Sequence, residues 1–388
     1  MKNFKFSAKT DIFFGKGEIK VLGNQLKKNG AKNILLTYGK NSIKKSGLYD
    51  NVIEILKEKN INFFELSGID PNPRITSVRA GIKICKENNI DFILAVGAGS
   101  VIDCSKAIAS GSLYDGDPWD FAIGKAHAKK ALPVACILTL AATGSEMNSG
   151  AVITNDDTKE KLPIHAECAK PVFSILDPEY TFSVPKYQTA AGCVDIMSHV
   201  FEQYFSPSSN AYVTDMLCEG ILKTIVKYGP VAYEQPENYI ARANIMWAGT
   251  IGLNGLLSCG KMTDWASHLI EHEVSAIYDL THGAGLAIIT PAWMRHVLDN
   301  YNSYKFCEIG KNVFGLTGND GIDLANRSID KIEEFFKKLN MPVRLCEADI
   351  DNSRIEEMAE KINSRFGKIG GFKQLDKNDV LAILNSCL

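Results

Sequence analysis

In the first half of the chain, short apolar runs alternate with stretches of helical spacing. Residues 33–38, 61–66, 91–96 and 134–139 are nearly continuous in Ile, Leu, Val and Phe, as expected of strands buried on both faces of a parallel sheet. Between them, residues 46–59 and 74–89 carry apolar side chains three and four apart and end among Asn residues that suit helix stops. Strand, helix and strand in repetition predict an α/β domain. Residues 4–17 stand apart, because Phe4, Phe6 and Ile12 to Phe14 flank a turn. They predict an added hairpin or edge strand, an element that can serve as a dimer contact.

After Asp177-Pro178 and Pro185 the pattern changes. Residues 190–205, 211–228, 239–257 and 264–278 all read as helices, so the second half is predicted to be all-helical. With 388 residues the chain is long enough for two domains that each bury a core. The expected division is an α/β nucleotide-binding domain at 1–183 and a helical domain at 184–388. Gly and Pro punctuate elements and do not cluster into a linker, so the two are expected to pack closely around a shared cleft.

Composition narrows the partners. The 43 basic and 45 acidic residues nearly cancel, without the long runs of one sign that bind nucleic acid or anionic membranes. The expected partners are a small molecule and other copies of the chain. Ten cysteines are scattered from Cys85 to Cys387 with no Cys-x-x-Cys pair, which reads as reduced core residues. Residues 1–6 lack the apolar core of a signal peptide, and no run approaches the roughly 18 residues that cross a bilayer. A cytoplasmic protein is expected.

The chemistry concentrates in the second half. Asp195 and His199 lie four apart in a predicted helix, and so do His268 and His272, a spacing that stacks two side chains on one helical face. His282 follows in Thr281-His282-Gly283-Ala284-Gly285, where glycine lets backbones approach closely. Spacing alone leaves open whether these residues share a site, and His127, His165 and His296 read as ordinary surface or capped residues. One carboxylate with several imidazoles suits Fe(II), Zn(II) or a similar ion, whereas Ca or Mg would want more oxygens. Such an ion makes an alcohol more acidic or polarises an aldehyde. A proton donor is then needed, and His272 is the candidate.

Two loops suit a nucleotide. Val96-Gly97-Ala98-Gly99-Ser100-Val101-Ile102-Asp103 links a predicted strand to a helix whose N-terminus suits a pyrophosphate. Thr139 to Glu146 follows another strand with hydroxyls and backbone donors. Neither the first loop nor Gly39-Lys40-Asn41-Ser42 matches the Gly-x-Gly-x-x-Gly fingerprint.

Taken together, these segments resemble the iron-containing (group III) alcohol dehydrogenases, in particular the butanol dehydrogenase branch, over the whole chain. The resemblance rests on the Gly-x-Gly-Ser-x-x-Asp loop at 97–103, Thr-x-x-x-Thr-Gly-Ser-Glu at 139–146, and the Asp-x-x-x-His, His-x-x-x-His and His-Gly set. It implies a dehydroquinate synthase-like architecture, with metal ligands at Asp195, His199, His268 and His282. His272 is implied to be an active-site histidine that does not ligate. Cofactor contacts are implied at Gly97, Gly99, Ser100 and Asp103, with the pyrophosphate on Gly99 and Ser100, and at Thr139, Leu140, Thr143 and Lys161. The implied reaction is hydride transfer between a nicotinamide cofactor and a small primary alcohol or aldehyde such as butanol or butanal. Iron is the expected metal, with zinc or another divalent ion as the alternative, and a homodimer is the expected assembly.

Two departures from the family pattern matter. Ala98 replaces the middle glycine of the phosphate loop, adding a methyl group where backbone approaches cofactor. NAD-specific relatives place an Asp after the first parallel strand, where this chain has Gly39 followed by Lys40, Asn41 and Ser42. Room, positive charge and donors at that point predict NADP(H) over NAD(H). The competing readings are a glycerol dehydrogenase-like or dehydroquinate synthase-like enzyme on the same fold, and a non-catalytic metal-binding protein. A phosphorylated substrate would need basic residues near the ligands, where Lys261 and Arg295 are the few available. Aromatic and aliphatic residues at Trp247, 253–257 and Trp265 favour an apolar alcohol or aldehyde over a sugar.

Overall fold

Strands covered on both faces need apolar residues at nearly every position, and the middle of the first half meets that demand. A computed structural model describes residues 1–208 and 210–388. Six strands, β1 (Asp11–Phe14), β2 (Asn33–Tyr38), β3 (Asn62–Leu66), β4 (Phe92–Gly97), β5 (Val134–Leu138) and β8 (Phe173–Leu176), form a parallel sheet in the order β1-β8-β5-β4-β2-β3. Strands β6 (Gly150–Asn155) and β7 (Glu160–His165) form a separate antiparallel pair.

Helices α1 (Leu22–Lys28), α2 (Ser42–Lys45), α3 (Leu48–Glu58), α4 (Ile75–Glu87), α5 (Gly99–Gly111) and α6 (Trp119–Ala122) alternate with these strands. The two-residue period of the sheet sorts its side chains into two cores. Leu35, Ile93, Ala95, Cys136 and Leu138 pack with Val78 and Ile82 of α4 and Ile102 and Ile108 of α5. On the opposite face Ile34, Leu36, Leu94, Val96 and Ile137 pack with Leu22 and Leu26 of α1 and Val52 and Leu56 of α3. Residues 4–17 contribute no hairpin: β1 is a parallel edge strand on β8, as the second of the two readings expected.

The chain runs from β2 to β3 on one side and then crosses to β4 on the other. That reversal places the carboxyl ends of β2, β4 and β5 side by side, where open α/β sheets bind their ligands. The loops that follow these three strands are the three singled out from the sequence.

The second half comprises α7 (Lys186–Tyr204), α8 (Tyr212–Glu234), α9 (Tyr239–Gly252), α10 (Ala266–Tyr278), α11 (His282–Val297), α12 (Ser303–Phe314), α13 (Ile322–Lys338), α14 (Ile355–Phe366) and α15 (Lys377–Ser386). Two compact units emerge. One holds residues 7–184 and 236–250, the other 1–6, 185–235 and 251–388. The expected division into 1–183 and 184–388 differs from this in two segments. Residues 1–6 group with the helical unit, and most of α9 groups with the α/β unit. There Met246 enters the sheet's core and the Thr250 hydroxyl donates to Glu146 Oε1 at 2.5 Å.

In the helical unit α7 is central, since every residue from Thr189 to Tyr204 is buried. Its polar residues therefore need partners inside the protein. Gln203 Nε2 donates to the carbonyls of His199 and Gly252, and Ser198 meets Thr290 across to α11. Gly283 allows α11 to touch α7, because a Cβ there would lie 2.8 Å from Ala191 Cα and closer still to its carbonyl.

Candidate metal centre and cofactor loops

Four side chains from three helices converge in the helical unit. Asp195 and His199 project from one face of α7, His268 comes from the first turn of α10, and His282 opens α11. One ligand atom from each lies within 4.8 Å of all the others. Asp195 Oδ1 is 3.5 Å from both His199 Nδ1 and His282 Nε2, and the His199 and His268 rings are 4.7 Å apart. The His268 and His282 rings are 5.4 Å apart.

The residues fit a divalent metal on observations beyond proximity. His199 Nδ1 and His268 Nε2 are buried and have no hydrogen-bond partner among the described residues, a costly state that coordination relieves. Burial first, and then the imidazoles of His268, His282 and His272, hold the His199 pKa well below its ordinary 6.5, so its ring is neutral and can ligate. Three imidazoles and one carboxylate suit Fe(II) or Zn(II). His282, with 22% of its side chain exposed, is the most exposed of the four.

Around the four, Trp265 closes one wall, its ring 5.2 Å from that of His268 and 6.2 Å from that of His199. Its backbone is left-handed, with φ of 71°, which is rare for a bulky residue. Glu202 Oε2 anchors it by accepting the Trp265 N–H at 2.5 Å. His272 lies one turn beyond His268, buried, with its ring 5.5 Å from His282 and 6.4 Å from His268.

Two buried carboxylates that the sequence reading passed over touch the cluster. Glu202 Oε1 is 2.8 Å from His268 Nδ1, and Glu271 Oε2 is bonded to His282 Nδ1. A signal for them was present, because each lies three residues after a histidine, in His199-Val-Phe-Glu202 and His268-Leu-Ile-Glu271.

In the α/β unit the candidate cofactor loops lie at the carboxyl ends of β2, β4 and β5. The candidate phosphate loop leads into α5, whose N-terminus carries no side-chain cap, leaving backbone N–H groups and the helix dipole available to an anion. Ala98 has φ of −82° and ψ of −178°, an extended conformation that accepts a methyl group without strain. Gly99 is different. A Cβ there would sit 2.6 Å from Thr143 Cγ2, so glycine is what lets the Thr139–Glu146 loop lie against the start of α5.

Asp103 faces inward. Its carboxylate accepts from Ser145 Oγ at 2.5 Å and from Val152 N at 2.8 Å, tying the Thr139–Glu146 loop and β6 to α5. Lys161 is buried on β7, opposite Thr154. After β2, Gly39 is partly buried and Lys40 to Ser42 are exposed. Lys40 Nζ is 2.7 Å from Asp70 Oδ1, so a carboxylate from the loop after β3 stands beside the Gly39 loop.

Other candidates are placed elsewhere. Trp247 packs edge-on against Phe14 of β1. Lys261 pairs with Asp215 at 2.5 Å, and Arg295 pairs with Asp330 and Glu333 at 2.7 and 3.0 Å, so neither cation is left for a substrate phosphate.

Known proteins resemble the chain over both halves. The profile of the iron-containing alcohol dehydrogenases matches residues 9–178, and that of the Fe-containing alcohol dehydrogenase family, C-terminal, matches 189–388. The chain is 50% identical to NADH-dependent butanol dehydrogenase A of Clostridium acetobutylicum, over 99% of each chain. It is 38% identical to the NADPH-dependent aldehyde reductase YqhD of Escherichia coli, over 97% of this chain and 96% of that one. The crystal structure of an NADH-dependent butanol dehydrogenase A from Thermotoga maritima superposes with a TM-score of 0.96 at 40% identity, over 100% of this chain and 99% of that one. A parallel-sheet unit, a helical unit with a His-rich cluster and these matches over both halves agree: the chain belongs to the iron-containing alcohol dehydrogenase family, in its butanol dehydrogenase-like branch.

Proposed function

We propose that this protein transfers hydride between a nicotinamide cofactor and a small primary alcohol or aldehyde, with butanol and butanal as the test pair. The observation that carries the reading is the buried convergence of Asp195, His199, His268 and His282, with two imidazole nitrogens left without hydrogen-bond partners. These four side chains would hold Fe(II), with Zn(II) or another divalent ion as a substitute. A divalent ion there supplies Lewis-acid polarisation of the substrate oxygen.

The rest falls to the chain's own residues. Trp265 excludes water from one side of the cluster. His272, within one turn of His268, gives or takes the hydroxyl proton as the substrate changes between aldehyde and alcohol. In the α/β unit the N-terminus of α5, at Gly99 and Ser100, binds the pyrophosphate beside Gly97, and Thr139, Leu140, Thr143 and Lys161 orient the remainder of the cofactor.

Between the two cofactors, the Lys40–Asp70 pair changes the weighing. The expected NADP(H) preference relied partly on the positive charge of Lys40, and that charge is offset by a carboxylate that also repels a 2′-phosphate. NADH dependence is stated for relatives 50% identical, and NADPH dependence for one 38% identical. We therefore favour NAD(H), with NADP(H) accepted at lower efficiency.

A homodimer using the outer edge of β1, which has a strand neighbour on one side, is the assembly proposed. Sizing by light scattering tests it. All ten cysteines are free thiols, which supports a reducing, cytoplasmic setting. Among the described residues no helix is long and apolar enough to cross a membrane.

The test is to follow NADH and NADPH consumption on adding butanal, before and after chelation and after Fe(II) is restored. Loss on chelation and recovery with metal are expected. A protein that consumes neither cofactor under any metal supplement would favour the binding-protein reading.

A further inference from the structure

We propose that Glu202 and Glu271 are positioning residues for the metal centre, each holding one ligating histidine by Nδ1 so that Nε2 faces the ion. The proposal rests on reading Asp195, His199, His268 and His282 as the ligands.

A neutral imidazole carries one N–H, and an ionised carboxylate can only accept. Glu202 Oε1, 2.8 Å from His268 Nδ1, therefore places the proton on Nδ1 and leaves the lone pair on Nε2. That nitrogen is the buried His268 atom without a hydrogen-bond partner. The same logic applies one helix further on. Glu271 Oε2 is bonded to His282 Nδ1, and His282 Nε2 points at Asp195 Oδ1, 3.5 Å away.

The two contacts form a sequence of hand-overs. Glu202 on α7 holds the histidine of α10, and Glu271 on α10 holds the histidine of α11. Glutamate three positions after a histidine lies one turn along the same helical face, so α7 and α10 each ligate with a histidine and steady the histidine of a later helix with a glutamate. Glu271, His272 and His282 also lie close enough together to suggest a second cation site. The contact made by Glu271 is to Nδ1 of His282, the nitrogen on the side away from the Asp195 contact. That assigns Glu271 to orientation and not to ligation.

Charge supports the assignment. Glu202 is 1% exposed, and its bonded partners are the Trp265 and His268 N–H groups, the Ser267 hydroxyl and the His268 ring. Among the described residues no Lys or Arg pairs with it. A buried carboxylate among neutral donors is unfavourable unless a cation is near, and a dication reached through one imidazole supplies it. Negative charge behind the imidazole in turn makes Nε2 a more basic ligand.

The competing explanation is purely structural, since Glu202 also caps the start of α10 and Gly285 packs closely on Glu271. Glu271→Gln separates the two. Its amide oxygen can still accept from His282 Nδ1 and its NH2 group can still donate to Ser275 Oγ, so the shape is kept and the charge is lost. Co(II) affinity of the metal-free full chain is measured by competition with a chromophoric chelator, together with the visible spectrum of the Co(II) protein and the melting of the metal-free protein. Glu271→Gln is expected to weaken Co(II) binding roughly 10- to 100-fold and alter the spectrum, with metal-free melting unchanged. Glu202→Gln, which cannot accept at every position, is expected to lose at least as much affinity. Wild-type affinity and spectrum in Glu271→Gln, or a loss confined to metal-free melting in both variants, would overturn the proposal. Asp195→Asn is the control for the ligand set. If it too binds Co(II) like the wild type, the ligand reading falls first and this proposal with it.

Discussion

Replacing Gly283 by alanine probes whether the α7–α11 contact sets the metal centre. A Cβ at this position would lie 2.6 Å from the Ala191 carbonyl carbon and 2.8 Å from its Cα, against ~3.5 Å for an unstrained carbon pair. These are backbone atoms in the buried stretch of α7 and cannot rotate away, so α11 must withdraw by about 1 Å. His282 is the preceding residue and moves with it, off a Nε2–Asp195 separation of 3.5 Å. Overpacking of this kind costs ~1–3 kcal/mol. Where metal binding has to pull the helix back, the same energy appears as a loss of affinity of roughly 5- to 150-fold. The assay is chelator-competition affinity beside thermal melting of the metal-free protein. Gly220→Ala on α8, where an added Cβ meets nothing within 4 Å, is the matched control and is expected to be neutral or mildly stabilising. Wild-type metal affinity and melting in Gly283→Ala would refute the reasoning.

Three further outcomes follow from the geometry. Asp70→Asn is expected to raise the NADPH-to-NADH ratio of kcat/KM about fivefold, the equivalent of ~1 kcal/mol of exposed electrostatics; an unchanged ratio removes Asp70 from cofactor choice. His272→Ala is expected to slow turnover by ~10²- to 10⁴-fold with metal content intact, whereas loss of metal would make His272 part of the cage. Burial pushes the Glu273 carboxyl from its ordinary 4.5 up to about 7, so in that interval the folded protein binds the extra proton. Stability therefore falls as pH rises from 4.5 through 7, by ~3 kcal/mol in all, and Glu273→Gln is expected to melt higher than wild type at pH 8 and level with it at pH 5. Equal differences at both pH values would show that Glu273 does not titrate there.

What could be read without coordinates was what local pattern encodes. β2, β4 and β5 were legible because strands buried on both faces leave few polar positions. β6 and β7 were not, since β7 reads Glu-Lys-Leu-Pro-Ile-His and proline with interspersed charge obscures a strand that pairs with one neighbour. Asp195 and His199 announced themselves by sharing one helical face, and the Gly-flanked His282 by its close approach, which Gly283 indeed provides against Ala191.

Spacing did not join the half-sites; the family resemblance did, and the structure brings the four side chains together. Glu202 and Glu271 needed three dimensions, because a glutamate three residues after a histidine is ordinary in a helix, and nothing local shows that it reaches the next helix's histidine. The Lys40–Asp70 pair links loops after neighbouring strands, a partner for Lys40 that local sequence does not show. The motif marks Asp103 as a candidate cofactor residue but does not show the hydrogen bonds its carboxylate accepts from Ser145 and Val152. Residues 236–250 follow a helical pattern that shows nothing of which core accepts them.

We propose that one divalent ion, held by Asp195, His199, His268 and His282, makes this chain an aldehyde reductase and alcohol dehydrogenase. The most direct test is titration of the anaerobically prepared, metal-free protein with Fe(II), with bound metal and butanal-dependent NADH oxidation measured on the same samples. Activity is expected to rise in proportion to metal up to a single ion per chain, with neither binding nor activity in His268→Ala. Full activity without metal, or unchanged metal binding in His268→Ala, would contradict the proposal.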